Sequence, residues 1–408
     1  MKMNSSLQRG IWKNRYIYLL ATVSIVAGIF FGSSLTPVND KGSIQAEIFP
    51  GLQALESGKN TNEYVKKQLI FCGDFPKDSK NRYNCYKSLG EHLTSKLDFK
   101  TIVTSLEASG LDCHDEMHYV VNSEYKKGAT MQEIWSQCSD ACFGACYHGG
   151  LEGLIENREL AGKDDEVILQ ALQQECDSIK NPYSILQYQC FHGVGHAFML
   201  ITDGDLPASL SMCDGLKEFS DNCYEGVFME NIPTSKTAQH TKSFIRPDDL
   251  LYPCNAIESK YQSTCYAFQV SYITQSADID PEKPYTACLL IPEEFRSTCY
   301  SQSSIPHFDM TDPGQLEIRE FCSKFPGGDP KKGCILGGIA GFADRYPGNI
   351  QKLSEAYAYC SLVDEEYKSS CYLEAFKIMR QFIQENSSQD IQCGKITEEK
   401  YKQLCLKN

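Results

Sequence analysis

The stretch Cys190–Met199, CFHGVGHAFM, carries two histidines four residues apart, directly after a cysteine and among glycines. On a helix, residues i and i+4 lie on one face one turn apart, so His192 and His196 can present two imidazoles to one ion. The same spacing follows two other cysteines: CYHGGLEG holds His148 and Glu152, and CHDEMH holds His114 and His118. Imidazole nitrogens and carboxylate oxygens in sets of three or four suit Zn, Cu or Fe, and two such sets suit a dinuclear centre. Metal-ligand chemistry is the first expectation. An open coordination position holding water would extend it to hydrolysis or oxidation.

Register sharpens that expectation. Counting from the cysteine that opens each copy, position +2 holds His148, His192 and Glu225, and position +6 holds Glu152, His196 and Met229. Position +3 is Gly149, Gly193 and Gly226, which permits close helix approach. One buried histidine is more often a core group bonded to a neighbour's backbone than a ligand. Packing needs that arise independently, however, do not place imidazoles and acids at the same two positions of successive copies. The expected ligands are therefore His148, Glu152, His192 and His196, joined by His114 and His118, with Glu225 as an acceptor behind them. HDEMH differs from the zincin helix in carrying Asp115 and Glu116 where that motif has Glu and a free residue. Met199, Met229, Phe198 and Phe228 read as core. Later copies hold Ala267 and Ser271, or Ser301 and Ile305, at the two positions. The candidate site thus occupies 113–230, and 231–408 reads as structural repeats.

The elements that must position these groups are marked by cysteines. Cys146, Cys190, Cys223, Cys265, Cys299, Cys334, Cys371 and Cys405 recur 33 to 44 residues apart, mostly followed by Tyr or Phe, and Cys85 opens an earlier copy. Most have an upstream partner across a polar, turn-rich segment such as CDGLKEFSDNC or CSKFPGGDPKKGC. The expected pairs are Cys72/Cys85, Cys176/Cys190, Cys213/Cys223, Cys254/Cys265, Cys288/Cys299, Cys322/Cys334, Cys360/Cys371 and Cys393/Cys405. A period of this size matches two helices and two connections. EVILQALQQE and YLEAFKIMRQFIQE have helical spacing, whereas alternating strand patterns are short. The expected fold is all-α: an array of αα-hairpins, each stapled across its loop, stacked as a solenoid or an α/α toroid over residues 61–408. One helix should end at the first cysteine and the next begin near the second. A short-loop disulfide adds roughly 2–3 kcal/mol in the chain-entropy model. Cys113, Cys138, Cys142 and Cys146 break the pattern. A helical CSDACFGAC would put three sulfurs on one face, leaving a thiolate site open beside two further disulfides, Cys138 with Cys146 and Cys113 with Cys142.

Twenty cysteines in 408 residues imply an oxidising compartment. The N-terminus agrees. Lys2, Arg9, Lys13 and Arg15 form a basic tail (1–15) before the uncharged run Tyr16–Leu35, long enough to cross about 30 Å of bilayer. The expectation is a membrane anchor with its basic flank inside, or a cleaved signal peptide ending near Gly32-Ser33-Ser34, then a linker at 36–60. Either exports the rest of the chain. The formal charge is −14, and removing the four basic residues of the tail leaves −18. That surface repels phosphate backbones, so nucleic acid is not an expected partner. No phosphate loop, nucleophile elbow or dinucleotide fingerprint appears.

In period and staple the chain resembles cysteine-rich Sel1-like and tetratricopeptide αα-repeat proteins over roughly residues 60–408. It lacks the Leu-Gly-Tyr helix and Gly-Val turn of the Sel1-like signature, so no site residue carries over. The resemblance implies a binding scaffold, which gives the second functional expectation: a non-catalytic platform for a protein or glycan of the cell envelope.

Overall fold

Each polar segment between paired cysteines stops one helix, turns the chain and lets the next begin. The computed structural model describes residues 61–75, 80–111, 113–138, 142, 145–157, 160, 162–179, 184–232, 244–277, 279–304, 315–345, 354–380 and 393–407. The basic tail, the Tyr16–Leu35 run and the 36–60 linker lie outside them. Among the described residues, no helix is long and apolar enough to cross a membrane.

The α-helices are α1 (Thr61–Gly73), α2 (Lys80–Lys96), α3 (Phe99–Ser109), α4 (His114–Lys126), α5 (Met131–Trp135), α6 (Ala145–His148), α7 (Gly150–Asn157), α8 (Asp165–Asp177), α9 (Ser184–Ile201), α10 (Leu206–Cys213), α11 (Ser220–Asn231), α12 (Ser259–Ser276), α13 (Thr286–Leu289), α14 (Arg296–Gln302), α15 (Gln315–Ser323), α16 (Asp329–Arg345), α17 (Glu355–Leu362), α18 (Glu365–Arg380) and α19 (Glu399–Lys407). Their ends follow local chemistry. Asp98 caps α3 by accepting from the Thr101 N–H at 2.9 Å, and Gly110 closes it in the left-handed region. Thr130 and Glu133 make a reciprocal capping box on α5. Asp205 caps α10, with a proline in its first turn.

The second helix of each hairpin forms a continuous inner row, packed in the order α2, α4, α6 with α7, α9, α11, α12, α14, α16, α18, α19. The first helices lie against it: α1 on α2, α8 on α9, α10 on α11 and α9, α13 on α14, α15 on α16, and α17 on α18. Packing therefore runs from one hairpin to the next, as repeat arrays require.

Ten disulfides bridge the chain, and no cysteine is free. Eight join the short-range pairs read from the spacing. The other two, Cys113–Cys142 and Cys138–Cys146, replace the thiolate site left open for CSDACFGAC, because a sulfur in a disulfide has no thiolate to offer a metal. Cys142 adopts a left-handed φ of 56°, so an unbroken helix does not run through that segment. The second cysteine also falls later than expected. Cys190 is the seventh residue of α9, and Cys371 the seventh of α18. The staple therefore grips two turns of helix rather than its tip, with Cα atoms 5.6 and 5.5 Å apart.

Between inner helices the packing is close enough to need glycine. At Gly337 on α16, an added Cβ would collide with the Ser301 carbonyl oxygen on α14 and meet Ser304 Oγ, just past the end of α14, at 2.6 Å. Ser304 in turn donates across the same contact to the Cys334 carbonyl at 3.1 Å. A backbone neighbour cannot rotate away, so the helices must separate. Gly337→Ala is expected to cost about 1–3 kcal/mol in urea or guanidinium unfolding. Gly327→Ala, whose Cβ would stand 3.6 Å from Tyr367 Oη, should stay within about 0.5 kcal/mol. Equal losses in the two variants would contradict this packing.

Candidate functional site

Residues 189–199 of α9 are all buried, on every face. An interior helix of this kind ordinarily carries only apolar side chains, because an unsatisfied buried polar group costs about 1–3 kcal/mol. Yet His192 and His196 are 6% and 4% exposed. Their Nε2 atoms face each other at 3.1 Å, one turn apart. Each ring is backed by a carboxylate from α11. His196 Nδ1 lies 2.8 Å from Glu230 Oε2, and His192 Nδ1 lies 4.0 Å from Glu225 Oε2. Tyr188, one turn before His192, donates its hydroxyl to Glu225 at 2.7 Å.

The α9–α11 contact that permits this is backbone on backbone. A Cβ on Gly226 would collide with the His192 carbonyl, and one on Gly195 would collide with the Cys223 carbonyl. Gly195 and Gly226 thus meet at the crossing, immediately beside His196 and Glu225. Phe219 holds the start of α11 in place: its left-handed backbone, φ 62°, precedes the helix while its ring stacks on Phe191 at 4.8 Å.

Two more imidazoles arrive from α4. The His118 ring stands edge-on to His196, with centroids 6.0 Å apart, and His114 lies 4.9 Å from His118. His114 Nδ1 is 3.2 Å from the Cys142 carbonyl. That oxygen can only accept, so Nδ1 carries the hydrogen in this contact. The Cys113–Cys142 disulfide brings the carbonyl there, just before α4 begins at His114. The four imidazoles expected from sequence, His114, His118, His192 and His196, therefore gather in one row. His148 ends α6, a helix packed between α4 and α9, and Glu152 lies in α7. The side chains of His148 and Glu152 fall outside the described residues.

Two details depart from the expected register. Position +2 faces position +2, as His192 and Glu225 do, but His196 at +6 meets Glu230 at +7 rather than Met229. Glu230 has no acidic or imidazole counterpart in the preceding copies, where +7 is Gly153 and Ala197, so repeat logic alone passes over it. Likewise Gly195, at +5, makes the crossing contact with Gly226 at +3.

Electrostatics favour the uncharged form of His192. Burial, then the neighbouring charges of His196, His114 and His118, hold the His192 pKa well below its ordinary 6.5. A neutral imidazole retains a lone pair for a ligand. Among the described residues, no group of three or more His, Cys, Asp or Glu has its donors gathered around one ion position. What the geometry provides is a two-nitrogen gap, with carboxylates behind it and two further imidazoles beside it.

No family model, curated protein or solved structure matches the chain.

Because the folded state resists protonation of His192, it binds fewer protons than the unfolded chain once pH falls below about 6.5. The stability that the neutral ring contributes is present above that value and lost progressively on acidification. In metal-stripped protein, the unfolding midpoint should fall between pH 7.5 and 5.5, and His192→Gln should flatten that slope. Parallel slopes in the two proteins would contradict the assignment. His92, also depressed by burial, is common to both and cancels.

Proposed function

We propose that this chain is an extracytoplasmic helical-repeat protein that binds one transition metal ion, Zn, Cu or Fe, between His192 and His196. The observation that carries this reading is the paired Nε2 contact at 3.1 Å with Glu230 behind His196. Two nitrogens each about 2.0–2.1 Å from a tetrahedral ion stand about 3.3 Å apart, so the gap already has close to the ligand spacing. A carboxylate behind a ligating imidazole fixes its tautomer and raises its basicity. His118, from the adjacent helix, and His148 and Glu152, on α6 and α7, are the groups from which the remaining ligands come. Burial of both rings suits a structural ion closed from bulk water more than a catalytic ion with an open position. The ten disulfides support an oxidising compartment, and the Tyr16–Leu35 run supports membrane attachment.

A second reading, a protein- or glycan-binding platform, is favoured by an open polar depression at the start of the array. Thr61, Asn62, Thr101, Thr104 and Ser105 line it with Glu63 and Lys100, a hydroxyl-rich surface suited to sugar hydroxyls.

Elemental mass spectrometry separates the two readings. Full-length protein reloaded with zinc and dialysed should retain close to one equivalent, and His192→Ala should retain less than a third. At free metal a hundredfold above Kd, binding should add about 2.7 kcal/mol to unfolding stability. Less than a tenth of an equivalent in the wild type, with no thermal shift on adding metal, would abandon the metal reading.

A further inference from the structure

We propose that Glu230 is the positioning residue of the imidazole pair: it fixes the ring hydrogen of His196 on Nδ1 and so turns a lone pair on Nε2 toward His192. This deepens the metal-binding reading and rests on it for the affinity arm of its test. The tautomer arm stands without a metal.

Hydrogen-bond capacity decides which ring nitrogen carries the hydrogen. A neutral imidazole has one N–H and one lone pair, and a carboxylate can only accept. Glu230 Oε2 at 2.8 Å from His196 Nδ1 therefore takes that hydrogen, leaving the lone pair on Nε2. The Glu230 side chain is only 12% exposed, so water competes weakly for the bond. The partner ring follows. With His196 Nε2 as acceptor, the 3.1 Å contact is made by the Nε2–H of neutral His192. An ion entering the gap takes the place of that shared hydrogen, which moves to Nδ1 of His192, the nitrogen facing Glu225. No proton is gained or lost in the exchange.

The register of α11 delivers Glu230 to this position. Gly226 lies four residues before Glu230, on the same helical face, and Gly226 is where the α9 and α11 backbones touch. One turn further on, the close approach still holds, and a Glu side chain spans the remaining distance to His196. Glu225, beside Gly226, sits opposite His192 but is engaged by Tyr188. The two carboxylates thus differ in role. Glu230 is bonded to its imidazole already, and Glu225 changes partner when the ion binds.

Long-range 1H–15N correlation on histidine-labelled, metal-stripped full-length protein at pH 8 reads the tautomer of each ring. Wild type should show His196 as the Nδ1–H form and His192 as the Nε2–H form. Glu230→Gln, which keeps an acceptor oxygen, should preserve the His196 assignment, whereas Glu230→Ala should shift it to Nε2–H. Zinc affinity by competition with a chromophoric chelator should drop 10- to 100-fold in Glu230→Ala and less in Glu230→Gln. An Nε2–H His196 in the wild type overturns the proposal without any variant, so misfolding of Glu230→Ala leaves it testable. Unchanged tautomer and affinity within twofold in Glu230→Ala also overturn it while leaving the metal reading intact. Absence of zinc binding in the wild type overturns the metal reading, and the tautomer assignments still decide the role of Glu230.

Discussion

Close contact between two helix backbones brings an imidazole of one within hydrogen-bond reach of a carboxylate of the other, deep in the protein, and sets a second such pair 4.0 Å apart. Gly195 and Gly226 make that contact at the crossing of α9 and α11. A side chain at either position would part the helices and carry Glu225 and Glu230 away from His192 and His196. The same device recurs at Gly337 against Ser301. Close approach thus recurs along the inner row, and the histidine cluster exploits it at one step.

The disulfides set the conditions for that approach. A hairpin alone cannot bury enough apolar surface, and stacking neighbours supply the shared core. Each staple restricts the unfolded hairpin and fixes the offset of its two helices before stacking begins. At Cys176–Cys190 and Cys213–Cys223 it fixes the two helices that carry the paired rings and their carboxylates. The bond from Cys113 to Cys142 reaches further along the chain and has a separate effect: it sets a backbone carbonyl against His114 Nδ1. Cross-linking and site geometry are therefore coupled through three bridges.

Much of this was legible in the residues themselves. Cysteine recurrence gave the period, the all-α class and the eight local pairs, because covalent spacing is written in sequence and an oxidising compartment favours complete pairing. That His114 shares a face with His118, and His192 with His196, also followed from spacing, since i and i+4 share a face whatever the packing. Finer register was less accessible. Helices that cross at an angle slip relative to each other, so +2 opposes +2 while +6 opposes +7. That slip is decided by which glycines touch, a tertiary matter, and it hid both Glu230 and Gly195. The helix starts were misplaced for a related reason: the polar loop segments run on into helix before the second cysteine.

The combination of two buried imidazoles, carboxylates behind them and paired nitrogens is costly to build without a ligand to bind, since a satisfied apolar core would be simpler. X-ray absorption at the zinc edge of the loaded protein tests the claim most directly. Imidazole ligation predicts a nearest shell of nitrogen or oxygen at about 2.0–2.1 Å, with the outer-shell scattering that rigid rings produce. Sulfur at about 2.3 Å, or a hydrated ion lacking ring scattering, would contradict it.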